Sequence, residues 1–563
     1  MFVSSNPTNL STNIDPSLTK ITLNFNSNIS SAKVGLKEYD IKELSQKSRI
    51  VEKTLEINEF QLEPLRKYFL YFTVTDQKGT KITGKIAFIT GDPNKTKTNS
   101  TMMQAFYWEM NEGDYKNIHP GEANLWNLLQ SRAEELSYVG ITALWLPPAS
   151  KGMNGQNTVG YDVYDLWDLG EFNQKGTVRT KYGTRAELDQ AINYLHANGI
   201  DVYFDAVLNH RMGADQSEAV PLASGGTMTA WTKFNFPGRN GTYYSSTWDW
   251  TYFDGVDGNL FKGKSWDNCL DNYDYLMGDD VDYQNSKVKD EIKAWGKWII
   301  NEVDFDGFRL DAIRHVDNDF VSEWLDEVWS GTGKDVFFVG EAWIEDINYL
   351  VSYLQAVNNP LMKVFDFPLY NTFRTLSNGS LDLRSLSNVG LVNRSGYEDL
   401  AVTFADNHDT NRDDDQNNPG IANYKYQAYA YILMREKGIP CVWWKDYYVY
   451  GMKDKLDKLI EARKYFAYGP GHEVDNNDHD VYSYVREGLA DEPGTGLVMM
   501  ISDGPVGGSN VAIKRINSRQ PNTTFYDYTG HISERVTTDD QGYGNFKVNV
   551  ERETGWSIWV PVN

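Results

Sequence analysis

Three acidic residues stand at the ends of three apolar, β-forming runs. Asp311 lies in GFRLDAIRH at 307–315, Glu341 in VGEAW at 339–343 and Asp409 in ADNHDT at 405–410. Two carboxyl groups facing one glycosidic bond are the minimum equipment for splitting it. Arg309 sits two residues before Asp311, and an adjacent guanidinium holds a carboxylate ionised, as a nucleophile requires. Glu341 stands between Gly340 and Ala342, with Trp343 nearby. Apolar and aromatic surroundings raise a carboxyl pKa, which suits a general acid. Asp409, beside His408, is suited to hold sugar hydroxyls and to stabilise a developing oxocarbenium charge. One such Asp alone is as often a helix cap or half of a buried ion pair. Three at the ends of three strands point to a site.

These residues need a scaffold that gathers strand ends. DVYFDAVLNH at 201–210 repeats the form, with an apolar strand first and a polar cluster after it. Polar residues collected at the C-terminal ends of successive strands are how a (β/α)8 barrel builds its active site. From residue 101 the sequence alternates accordingly. Strands are expected at 101–108, 141–149, 201–209, 305–313, 336–343, 363–369, 401–407 and 439–444. Apolar residues at helical spacing predict helices over 124–140, 184–199, 286–303 and 318–331.

The flanks read differently. Residues 1–90 hold alternating or apolar runs at 19–27, 31–40, 67–76 and 81–90, the last two joined by the hairpin signal QKGT. Residues 91–100 form a polar linker, and no Trp precedes Trp108. Tyr68, Tyr71 and Phe72 are candidates for a sugar platform, although half of a strand's aromatics face the core. The stretch from His210 to about Asn285 is rich in Gly, Trp, Tyr and Asp without long periodic helices, and reads as an irregular excursion. After about 470, short strands return with turn signals between them. The expected fold is therefore multidomain α/β: a (β/α)8 TIM barrel with an insertion, a C-terminal antiparallel β domain and an N-terminal β-sandwich. The boundaries are 1–98 for the sandwich, a possible carbohydrate-binding module, 99–209 and 286–470 for the barrel, 210–285 for the insertion and 471–563 for the C-terminal domain.

Composition narrows the partners. With 78 Asp+Glu against 54 Lys+Arg the net charge is −24, which repels phosphate backbones and anionic membranes and argues against nucleic acid. Clustered acids also suit hard cations. The 17 Trp and 35 Tyr favour a carbohydrate binder, since sugar rings stack on flat aromatic faces, although most are expected to fill the core. The two cysteines, Cys269 and Cys441, make no disulfide framework. No apolar run reaches the ~18 residues of a membrane span. The N-terminus lacks the apolar core of a signal peptide, so the protein is either cytoplasmic or secreted with its signal absent from this chain.

The segments DAVLNH, GFRLDAIRH, VGEAW and ADNHD, in this order, resemble the four signature regions of the α-amylase family, glycoside hydrolase family 13. The resemblance extends over about 101–563, and MMQAFYW, ALWLPPASKG, VGYDVYDLWDLGEFNQKGTVRTKYGT and NYDYLMGDDVDY look like its liquefying bacterial members and their intracellular relatives. It implies that Asp311 is the nucleophile, Glu341 the general acid and then base, and Asp409 the transition-state stabiliser. Arg309 would orient Asp311. His210 and His408 would bind the sugar at the cleavage subsite, Tyr161 would stack beneath it, and Trp108 would join the substrate-binding residues. Arg314 and His315 would lie on the leaving-group side, and Asp205 would be linked to Arg309.

The excursion resembles the family's domain B. The resemblance implies a calcium ion held by Asn209, Asp274, Asp280 and the His315 carbonyl. It implies an adjoining metal at Asp254, Asp267 and Asp282, and a further site at Asp480 and Asp503. Oxygen ligands favour calcium over zinc. The sequence departs from the family at WWKDYYVYG, where Lys445 replaces a Gly, at the shortened WDNCLDNYDY, and in the N-terminal β module.

The leading expectation is a retaining endo-hydrolase of α-1,4-glucans, starch, glycogen and maltooligosaccharides, acting outside the cell as a monomer. A transglycosylase or a producer of one defined maltooligosaccharide would use the same residues. A non-catalytic glucan-binding barrel would be expected to lack the three acids.

Overall fold

The computed structural model describes residues 2–38, 42–64, 66–91, 99–379, 381–415, 420–474, 478–504 and 510–562. Eight parallel strands close into a barrel: β1 (Met102–Gln104), β2 (Ala143–Trp145), β3 (Asp201–Ala206), β4 (Gly307–Leu310), β5 (Phe337–Gly340), β6 (Lys363–Phe365), β7 (Ala401–Phe404) and β8 (Ile439–Trp443). Each is followed by a helix: α1 (Leu125–Val139), α2 (Arg185–Ala197), α3 (Ser286–Asn301), α4 (Asn318–Thr332), α5 (Ile347–Val357), α6 (Phe367–Ser377), α7 (Lys425–Met434) and α8 (Lys453–Phe466). The four helices expected from periodicity end within two residues of their expected limits.

Local chemistry sets these limits. Thr184 and Glu187 form a capping box that satisfies two free N–H groups at the start of α2. At the end of α1, Gly140 takes a φ of 122°, which a side chain would resist. Within α1, Leu125, Trp126, Leu129, Ala133, Leu136 and Val139 form one buried stripe against the barrel.

The insertion is not the irregular excursion expected. Gln216–Pro221 and Thr227–Lys233 form a hairpin, and His210–Arg211, Asp279–Val281, Phe253–Val256 and Asn259–Leu260 form a four-stranded sheet. Strands of two to seven residues are too short for alternation to show in the sequence.

The N-terminal residues form two facing sheets. One carries Phe2–Asn6, Lys20–Phe25, Thr54–Asn58 and Lys47–Val51, and the other Ser11–Ile14, Lys81–Thr90, Lys67–Asp76, Ile29–Glu38 and Lys42–Leu44. Tyr68, Leu70, Phe72 and Val74 alternate into the core between them. This corrects the three-aromatic platform: Tyr68 and Phe72 are inside, and Tyr71 alone stays half-buried, with Lys85 Nζ 5.3 Å from its ring centre. The outer face is also occupied, because Leu10, Phe69, Ala87 and Ile89 join the hydrophobic core of the barrel. Buried Lys67 places Nζ 2.6 Å from Asp326 on α4. Residues 92–98 of the expected linker lie outside the described residues.

The C-terminal region has a six-stranded sheet and a two-stranded one. Strand Val481–Arg486 sends Val481 and Val485 into the core between these sheets, and Tyr482 and Tyr484 into the barrel's core. Both faces are covered, which is why VYSYV and GLVMMIS read as continuous apolar runs.

Candidate active site

The barrel strands deliver the expected acids to one place. Arg309 is fully buried on β4, and its Nη1 donates to Asp311 Oδ1 at 2.6 Å and to Asp205 Oδ1, from β3, at 2.8 Å. Its Nη2 lies 3.0 Å from Glu341 Oε1, at the end of β5. One guanidinium thus joins three carboxylates from three neighbouring strands. Strand register makes this possible, because Asp205 pairs with Arg309 and Arg309 with Val339, two residues before Glu341.

The turn after Asp311 completes the link. Ala312 adopts φ 45°, ψ 35°, a left-handed conformation uncommon for a residue with a side chain, and its N–H donates to Glu341 Oε2 at 3.0 Å. Such strain is concentrated at functional sites. Burial raises the Glu341 carboxyl above the usual range; Arg309 opposes this, and Asp311 and Asp409 add to it. Asp409 is raised by burial in the same way, with Arg309 opposing and Asp311 adding.

His408 is buried, and Gln104 Nε2 donates to its Nδ1 at 2.8 Å. That leaves Nε2 for Asp409 Oδ2, 3.1 Å away. Burial, then Arg309 and Arg412, push the His408 pKa well below its ordinary value, so the ring is neutral. His210 is lowered by burial too, and its Nε2 donates to the Tyr161 carbonyl at 2.9 Å. Tyr161 donates its hydroxyl to Asp205 at 2.7 Å. Its ring lies nearly parallel to those of His408 and Trp108, at 5.2 and 5.8 Å between centres. Together these rings offer a flat aromatic surface beside the carboxyls.

Arg314 and His315 lie in the short turn after Ala312. Arg314 donates to the Trp343 carbonyl at 2.8 Å, which sets it on the Glu341 side, and His315 Nδ1 bonds the Tyr273 carbonyl at 2.8 Å.

Several contacts were not anticipated. Gln104 fixes His408, and Trp145 donates to Asp205 at 2.9 Å. Arg412 stands 4.1 Å from the Trp108 ring centre. Lys445 is fully buried and donates at 2.8 Å to both Glu109 and Asp413, so it ties the turn after β1 to the turn after β7. The departure at Lys445 was visible in the sequence; its two partners were not.

The candidate metal residues also converge. Asp280 pairs with Gly255 and with His210 across the inserted sheet, which brings it beside Asp254 and Asn209. Asp267 N–H donates to Asp274 Oδ2 at 2.9 Å, drawing the 267–274 loop closed. Carboxylate oxygens of Asp254, Asp274 and Asp280 lie within 4.8 Å of one another, as do those of Asp254, Asp267 and Asp282. Asn209 Oδ1, both Asp254 oxygens and Asp280 Oδ2 are buried without a hydrogen-bond donor.

Burial and mutual repulsion push Asp254 to about 9 and Asp267 to about 8. Buried oxygens without donors and carboxylates raised by repulsion fit a hard divalent cation. Cys269 donates its thiol to Asp274 at 3.2 Å, and burial raises its pKa, so it offers no thiolate. The Asp282 side already has a cation, because Lys264 Nζ bonds it directly. Asp480 and Asp503 lie apart, near the seam with the C-terminal sheet. Asp503 Oδ1 is buried without a donor, and its pKa rises to about 6 through burial and then Asp480.

Comparison with known proteins bears on the family and the fold. Residues 123–462 match the family described as "Alpha amylase, catalytic domain", and residues 507–560 match "Alpha-amylase C-terminal". The chain is 44% identical over 517 residues to the alpha-amylase of Geobacillus stearothermophilus, covering 84% of this chain and 89% of that one. It is 41% identical over 499 residues to the glucan 1,4-alpha-maltohexaosidase of Bacillus sp. (strain 707), covering 82% and 92%. The solved structure of an alpha-amylase from Geobacillus thermoleovorans complexed with acarbose aligns with a TM-score of 0.58 at 20% identity, over 84% of this chain and all of that one, a likeness of fold.

Proposed function

Because the chain belongs to the α-amylase family, we propose that it hydrolyses internal α-1,4-glucosidic bonds with retention of configuration, through a covalent glycosyl-enzyme. It is a glycoside hydrolase acting on α-glucan. The single observation that supports the finer reading is Arg309, bonded to Asp311 and within 3.0 Å of Glu341. It ties Asp311 to a second carboxyl whose pKa burial raises.

In the first step Glu341 gives its proton to the glycosidic oxygen while Asp311 attacks the anomeric carbon. The bond to the leaving sugar breaks, and an ester to Asp311 forms. In the second step Glu341 takes a proton from water, the water oxygen attacks the anomeric carbon, and Asp311 leaves. Asp409 faces the positive charge that develops in both steps. His408, kept neutral, donates a hydrogen bond rather than adding a like charge to the oxocarbenium. Tyr161 supplies the surface for the sugar ring, with Trp108 and His210 beside it.

Calcium is the cation we assign to the insertion, held by Asn209, Asp274 and Asp280 with Asp254 between the two clusters, and by the His315 carbonyl as the family resemblance implies. Bound there, it would neutralise the clustered carboxylates and brace the segment that follows Asp311. Lys264 competes for the Asp282 side of the second cluster, which weakens that site for a second ion. Asp480 and Asp503 form a separate candidate site at the C-terminal seam.

Residues 1–98 are assigned a binding or docking role, since none of the site residues lies there. We propose a monomer, testable by light scattering. Among the described residues no helix is long and apolar enough to cross a membrane. Starch lies outside cells, so we assign the enzyme there; activity confined to washed cells would contradict it.

A product time course on soluble starch tests the reading. Internal cleavage gives a fast loss of iodine colour with mixed maltooligosaccharides. The maltohexaosidase relative makes the defined-product alternative concrete: one early product would favour it.

A further inference from the structure

A cavity of about 390 Å³ lies at the seam between the barrel and the C-terminal sheet. Tyr424, Tyr426 and Tyr450 line it, together with Arg552 and Glu553 from the C-terminal region and Asn411 from the turn after β7. Its floor is rigid and electrically satisfied, because buried Lys425 lies 2.7 Å from both Asp406 and Asp446. On the rim Glu553 lies 3.7 Å from Lys455 and Arg552 stands over the Tyr424 ring, so the cavity offers polar groups beside aromatic faces.

Tyr424 and Tyr426 each have a cation on a long side chain near the ring, and Tyr426 also stacks on Trp556 with ring centres 5.5 Å apart. Arg552 stands 5.9 Å from the Tyr424 ring centre and is exposed, and Lys455 stands 4.4 Å from that of Tyr426. Tyr424 itself is left-handed, with φ 58° and ψ 24°, at the N-cap of α7, and its side chain makes no capping bond there. A bulky residue in this conformation is an outlier of the kind found at ligand sites.

We propose that this cavity is a second carbohydrate site that takes one or two glucosyl units of an α-1,4-glucan. The inference rests on the α-glucan reading of the catalytic cleft. The volume suits a small sugar, and aromatic walls with a few polar groups are the usual lining of such sites. The wall is continuous with the catalytic turn: Tyr450 donates its hydroxyl to Asn411 at 3.3 Å, and Asn411 follows Asp409 by two residues. A polymer held here has its neighbouring segments at raised effective concentration near the cleft, without any new contact to the reacting bond.

The test uses the full chain and two substitutions outside the catalytic machinery. Ala422→Trp fills the cavity from an exposed position, and Arg552→Ala removes a rim group. Adsorption to granular starch, and hydrolysis of it, are compared with hydrolysis of a chromogenic maltotrioside. The proposal expects both variants to adsorb at least about tenfold less while keeping maltotrioside turnover within about twofold of the parent. Unchanged adsorption in both variants overturns it, as does adsorption that falls only in step with maltotrioside turnover. Failure of the parent enzyme to cleave any α-glucan overturns instead the reading on which it rests.

Discussion

Arg309 Nη1 lies 2.6 Å from Asp311 Oδ1, and the two residues are two positions apart where β4 runs out into the site. Alternate residues of an extended strand face the same side, so the dipeptide spacing alone sets guanidinium against carboxylate. The same guanidinium also gathers Asp205 and Glu341.

Asp311→Asn keeps the side-chain volume and removes the proposed nucleophile. We expect turnover to fall on the order of 10⁴-fold or more, with circular dichroism and thermal unfolding close to the parent's. Hydrolysis near the parent's rate would remove Asp311 from the role.

Glu341 must be protonated to act first as an acid. Its raised pKa keeps the proton as pH rises past the usual carboxylate range, and activity is lost as pH rises through the raised value. The high-pH limb of kcat/KM should therefore lie well above that range. Asp311 is one cause of the shift, so the Glu341 pKa should fall in Asp311→Asn, as carboxyl NMR would record. A limb or resonance at the ordinary value would contradict this.

The convergence of Asp311, Glu341 and Asp409 was legible because each closes a strand and follows a recognisable segment. The helices were legible from their apolar stripes and caps. The insertion was not, since its strands are too short to display a period, although its acids pointed to a cation. Contacts that depend on side chains from distant segments stayed hidden. Gln104 against His408 spans most of the barrel sequence, and Lys445 was visible only as an oddity until Glu109 and Asp413 came beside it. In the N-terminal sheets, alternation warned that half of the aromatics turn inward, and Tyr68 and Phe72 did.

The insertion's carboxylates repel one another unless a cation lies between them. A ligand that binds only the folded state at about 1,000 times its Kd stabilises by about 4 kcal/mol. Chelation should lower the melting temperature by several degrees, and calcium should restore it. Asp280→Asn should abolish that response. A melting temperature indifferent to chelator would count against the site.

The N-terminal sheets are joined to the barrel by Lys67, which is 1% exposed, and Asp326, whose side chain is 35% exposed. Asp326→Ala strands a buried ammonium. Discounting for the exposed partner, we expect a loss of about 1–3 kcal/mol in urea unfolding. Lys67→Met in the same background should recover part of it. Maltotrioside turnover should not change, because no catalytic group touches this contact; a large loss would show that the module supports the site.

Proton NMR of the first product formed from a maltooligosaccharide reads the stereochemistry before mutarotation sets in. With Asp311 as nucleophile and Glu341 as acid and then base, the new reducing end appears as the α-anomer, and the β-anomer grows in only later. Initial release of the β-anomer would mean a single inverting displacement by water, and Asp311 could not then be the nucleophile.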